Sequence, residues 1–159
     1  MFRIALFAAL LATPALAQDS AATLAKKMLL GTHMGEAEFR AMTEGNTITY
    51  NYQGEDRYRE YYRPGTNRVV IEWATPSADG QINCDIGVWY AEGESICFDW
   101  ARTGKVCSAW VNYQGEIISE LVVDNERRGN IEPISNISPD PLFCEVGLVS
   151  LAQPITPAG

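Results

Sequence analysis

Apolar residues recur at helical spacing over Ala21–Leu30 and again over 35–43, which predicts two short helices with Leu24, Met28, Phe39 and Met42 as their apolar contacts. From Asn46 the pattern changes to short alternating runs rich in Thr, Tyr, Val, Ile and Trp, broken at close intervals by turn residues. The runs predict strands near 46–53, 55–63, 68–75, 83–91, 94–101, 105–113 and 116–124, with an eighth within 129–149. Seven or eight short meandering antiparallel strands in so little chain suit a small closed barrel or a sandwich. The chain therefore divides into a helical leader over 18–45, a β domain over 46–150 and a tail from 151 expected to be disordered.

The alternation also predicts faces. A turn at Ala101, Arg102 and Thr103 sets Cys97 opposite Cys107, Asp99 opposite Lys105 and Phe98 opposite Val106, so one face carries a disulfide and an ion pair and the other is apolar. A two-residue turn at Glu92-Gly93 places Trp89 opposite Ile96 and Gly87 opposite Phe98, with Gly87 making room for the ring. At Gln114-Gly115 the same logic turns Trp110, Ile117, Leu121 and Val123 inward and Glu120 outward. A four-residue loop over 64–67 sets Tyr58 against Trp73, Glu60 against Ile71 and Tyr62 against Val69, with Arg59 meeting Glu72 outside. Thr47, Thr49 and Asp85 then join the inner face. The pentapeptide Asn-Tyr-Gln-Gly-Glu occurs at 51–55 and at 112–116; chance reuse of a good hairpin turn accounts for it better than duplication of half a barrel.

The first 17 residues change how the rest is read. Arg3, the apolar run 4–12 and the small residues Ala15 and Ala17 form a secretory signal with its cleavage site. The run is too short to span a bilayer, and the residue directly after Ala17 is Gln18 rather than the cysteine a lipid anchor needs. Cleavage leaves 11 Lys and Arg against 20 Asp and Glu, minus 9. This acidity argues against nucleic acid as a partner, because phosphate binding needs a basic face. The expected location is the periplasm or the exterior.

Four cysteines in an exported chain point to two disulfides. Zinc is the competing reading, but the chain has no CxxC pair and its one histidine, His33, lies in the leader. The register assigns Cys97 to Cys107 and leaves Cys84 for Cys144. With its one histidine in the leader, the sequence argues against a Ser-His-Asp or Cys-His site, and without a phosphate-binding glycine loop nothing in it calls for a cofactor or a resident metal. Hydrolysis by Glu60 and Asp85 facing one cavity is the remaining enzymatic reading.

A buried Glu60 needs a partner, which an internal network of hydroxyls, a bulge that turns it to solvent, or a ligand would supply. In the last case the candidate ligand-binding residues are Tyr58, Glu60, Tyr62, Trp73 and Asp85, holding a small amphipathic or cationic molecule inside the barrel. The alternative is an interaction module or hydrolase inhibitor that meets an envelope protein through its loops and acidic exterior.

The runs GNTITY, YREYY, GVWY and ICFDW with the following Cys107 resemble an uncharacterised family of small exported proteins, mostly alphaproteobacterial, over roughly 35–125. The resemblance implies an exported β-rich domain and brings no activity with it. Gly87-Val88-Trp89 is similar to the GxW strand of lipocalins, which there is the first strand and here the fourth. Short exported barrel inhibitors of proteases and lysozyme share size, export and disulfides.

Overall fold

A computed structural model describes residues 19–145 except 53, 79, 81 and 125. The signal over 1–17 and the tail from 151 lie outside the described residues. Two helices, α1 (Ala21–Leu30) and α2 (Glu36–Thr43), flank a two-residue strand, β1 (Thr32–His33). Eight longer strands follow: β2 (Thr47–Tyr52), β3 (Glu55–Tyr62), β4 (Arg68–Trp73), β5 (Asn83–Glu92), β6 (Ser95–Trp100), β7 (Gly104–Tyr113), β8 (Glu116–Val123) and β9 (Glu126–Ser138). Each pairs antiparallel with the next, and β9 returns to β2, so the sheet closes into an up-and-down eight-stranded barrel with no long free edge. The eighth strand is placed as expected but starts earlier, at Glu126; β1 is an addition, pairing with β7 through Thr32 and His33.

Alternation works as a folding code most visibly in β5, where Asp85, Gly87 and Trp89 are buried inside while Ile86 and Val88 are 37% and 45% exposed outside. The core inside the barrel is aromatic. Trp89, Phe98 and Trp110 meet Tyr62 and Phe39 there, and Phe39 is contributed by α2. Its ring lies 4.9 to 5.5 Å from those of Trp110, Trp89 and Tyr62, all edge-on, so the helix plugs the end of the barrel where β3, β5 and β7 turn. We call this the plugged end. The turns after β2, β4, β6 and β8 form the opposite end.

The leader thus splits into two functions. Helix α1 packs outside, with Met28 and Leu24 against Ala109, Val111 and Ile118. Ser20 caps it by accepting from the Thr23 amide at 3.2 Å. Lys27 ties it to the start of β8 through Glu116 at 2.5 Å. Both expected disulfides are present. Cys97–Cys107 bridges neighbouring strands, and Cys84–Cys144 fastens the segment after β9 to β5. That segment crosses the outside of the barrel, where the Thr47 hydroxyl donates to the Asp140 carbonyl and Leu142 is buried.

Several registers match the sequence reading, including Tyr58 with Trp73, Glu60 with Ile71 and Cys97 with Cys107. Others are corrected. The β5–β6 turn is Gly93-Glu94, so Trp89 faces Phe98 and Gly87 faces Trp100. The reason is turn chemistry: Gly93 has φ 60 and sits first in the turn, the position at which a two-residue hairpin of type II′ needs glycine. Gly87 therefore makes room for Trp100, whose Cε3 would lie 2.8 Å from an added Cβ.

Thr47 and Thr49 face outward, and Ile48 and Tyr50 take the inner positions. A bulge lies between Tyr50 and Asn51, leaving Arg57 as the extra residue on β3, and one inserted residue reverses every face beyond it. Lys105 stands opposite Asp99 but pairs with Glu92 at 2.6 Å. Glu120 does point outward, yet it is only 7% exposed, because it accepts from the Gly129 amide and pairs with Arg127. Val123, at the end of its strand, is exposed.

The repeated pentapeptide closes the same hydrogen bond twice: Asn51 accepts from the Gly54 amide at 2.9 Å and Asn112 from the Gly115 amide at 2.8 Å. The two turns lie at opposite ends of the barrel, five strands apart. Duplication of a four-stranded half would put them at the same end, so local turn chemistry explains the recurrence.

Candidate functional site

Glu60 is inside, 5% exposed, as the parity of β3 requires. Tyr50 and Tyr62 both donate to its Oε2, at 2.5 and 2.6 Å, and their own oxygens are 3.4 Å apart. Burial raises the Glu60 pKa from 4.5 to about 7, against the pull of the two tyrosine hydrogen bonds and with a smaller push from nearby Glu132. Burial first, and then Glu60, also hold Tyr50 and Tyr62 well above the ordinary tyrosine value.

The network continues toward the opposite end of the barrel. Tyr50 stacks on Tyr58 with ring centres 4.3 Å apart, and the Tyr58 hydroxyl donates to Glu132 on β9. Each carboxyl thus holds one member of a stacked tyrosine pair. Arg57, the bulge residue, lies 4.0 Å from Glu132.

Tyr58 and Trp73 stand directly opposite each other on β3 and β4 and are half-buried, whereas Tyr50, Tyr62, Trp89, Phe98 and Trp110 are buried. The two line a recess of about 420 Å³ at the opposite end, with Asp56, Glu72, Pro76 and Ile82 around them. Around and beneath this recess are four carboxyl groups, on Asp56, Glu60, Glu72 and Glu132, and two guanidinium groups, on Arg57 and Arg59. Arg59 is paired with Glu72.

Of the residues named from the sequence, Tyr58 and Trp73 share the recess, and Glu60 and Tyr62 form the hydrogen-bonded layer beneath. Asp85 is also inside, 4% exposed, but its oxygens accept from the amides of Ile86 and Arg102 at 2.8 and 3.0 Å. It anchors the β6–β7 turn. Sequence reasoning missed Tyr50 and Glu132. Tyr50 was hidden by the bulge, and Glu132 is read only once β9 is aligned on β8, where it stands opposite inward-facing Ser119.

Comparison with protein-family models, with curated proteins and with solved structures gives no match for this chain. The fold and the site define a disulfide-bonded antiparallel β-barrel plugged by a helix, with an aromatic, acidic recess at the other end. Two disulfides fit an oxidising compartment. Among the described residues no helix is long and apolar enough to cross a membrane.

Proposed function

We propose that this protein is an exported binding protein that holds a small organic cation between Tyr58 and Trp73. The carrying observation is that these two directly opposed inward-facing rings are only partly buried and line one recess, and that carboxyl groups outnumber guanidinium groups around them. An ammonium group over an aromatic face gains about 0.5–2 kcal/mol, more as water is excluded, and nearby carboxylates add attraction that salt screens. The layer beneath pre-organises the wall: Glu60 fixes Tyr50, Tyr50 backs the Tyr58 ring, and Glu132 fixes the Tyr58 hydroxyl. Export rests on the N-terminal signal pattern and agrees with the two disulfides.

The test is calorimetric titration with benzyltrimethylammonium and, in parallel, uncharged benzyl alcohol. The cation binds saturably and at least ten-fold tighter than the alcohol, weakens with added salt, and loses at least ten-fold in Trp73→Leu. Equal binding of the two probes, or unchanged affinity in a folded Trp73→Leu protein, overturns the proposal.

A further inference from the structure

Helix α2 closes its end of the barrel unevenly. It is tied to the β3–β5 side: the Arg40 guanidinium lies 4.5 Å over the Trp89 ring and donates to Asn67 at 2.8 Å, and the Gly45 amide donates to the Tyr62 carbonyl at 2.8 Å. Phe39 fills the centre. On the other side, toward β8 and β9, a cleft of about 770 Å³ remains.

Its floor is apolar, formed by Met34, Met42, Ile117 and Ile137. Ile137 pairs with inward-facing Ile48 and so points into the bore, yet it is 39% exposed and lines the cleft together with Met42 of the helix. An inward-facing isoleucine left open to water at a barrel mouth marks a place for apolar atoms to fill, and two methionines make the floor adaptable.

The rim sets the polar end of the ligand. It carries the uncharged Thr32, Asn112 and Gln114. Among the described residues the lining holds no Lys or Arg; Glu38 accepts from the Gly35 amide at 3.1 Å, and His33 is engaged with the Glu94 carbonyl at 2.5 Å. An anionic head would meet a carboxylate and no cation. Gln114 has φ 55, the left-handed conformation that a two-residue turn of type I′ imposes, and this places it on the rim.

We infer that this cleft is a second binding site, for an uncharged amphiphile whose apolar body lies on Ile117, Ile137 and the two methionines and whose hydroxyl or amide head meets the rim. It is separate from the aromatic recess and stands or falls without it.

The probe is 1-aminoanthracene, whose fluorescence rises on entering an apolar site, displaced by decan-1-ol or by decanoate at pH 7.5. Saturable binding is expected, with decan-1-ol displacing at least ten-fold better than decanoate. Ile137→Trp fills the cleft and weakens binding at least ten-fold, while Trp73→Leu leaves it unchanged. Near-ultraviolet circular dichroism verifies the fold, and Ile137→Glu replaces the tryptophan variant if that one misfolds. Absence of saturable binding, equal displacement by decanoate, unchanged binding in the folded Ile137 variant, or loss of binding in Trp73→Leu overturns the inference.

Discussion

Replacing Glu60 with glutamine isolates the energetic consequence of burying a carboxyl group in this barrel. In the folded protein the group titrates at about 7, against an ordinary value of 4.5. The folded state therefore keeps its proton where the unfolded chain has lost it. Glu60 stabilises fully below pH 4.5, and that contribution falls as pH rises through 7. The move from 4.5 to about 7 is worth about 3 kcal/mol at 1.36 kcal/mol per decade of proton affinity. Glutamine keeps a carbonyl oxygen to accept from Tyr50 and Tyr62 and cannot ionise. Glu60→Gln should match the parent near pH 4 and exceed it by about 3 kcal/mol at pH 8 and above. Urea unfolding followed by tryptophan fluorescence, with disulfides intact, reads this directly. With a denaturant slope of about 2 kcal/mol/M, the midpoints separate by about 1.5 M at pH 8 and coincide at pH 4. Other titrating groups contribute to both proteins and cancel in the difference. A pH-independent difference, or a variant less stable than the parent at pH 8, refutes the reasoning that burial dominates at Glu60.

Three further perturbations test the packing. Phe39→Ala removes the plug from a fully buried site and should cost about 3–5 kcal/mol, seen as a lowered urea midpoint. Gly87→Ala forces a Cβ to 2.8 Å from Trp100 Cε3 and 2.9 Å from the Asp99 carbonyl oxygen, and should cost about 1–3 kcal/mol by the same assay. Replacing both cysteines of one disulfide by serine should cost about 4 kcal/mol for Cys84–Cys144, which closes a separation of 60 residues, and about 3 kcal/mol for Cys97–Cys107, which closes 10. The order of the two midpoints is the readout.

Local chemistry made much of the barrel legible in the sequence. The alternation in β5 and the loop over 64–67 fix faces and partners without reference to distant elements, and Cys97, Asp99 and Phe98 agree with that logic across β6 and β7. The misread parts have identifiable causes. The bulge at Arg57 inserts a single residue, which no hydrophobic pattern reports, and it exchanged Thr47 and Thr49 for Ile48 and Tyr50. Gly93 could open or close its turn, and only the backbone conformation decides. The periodicity of α2 requires a buried face containing Phe39 and Met42, but does not say that Phe39 enters a barrel. Both candidate sites follow from such long-range facts: Glu132 comes to Tyr58 across 74 residues, and the cleft is lined jointly by α2, β8 and β9 through Met42, Ile117 and Ile137.

A small cation held between Tyr58 and Trp73 gives nuclear Overhauser contacts when saturating benzyltrimethylammonium is added to the folded protein. The expected contacts run from the N-methyl protons to the rings of both Tyr58 and Trp73. Contacts confined to other residues, or none at saturation, would contradict that placement.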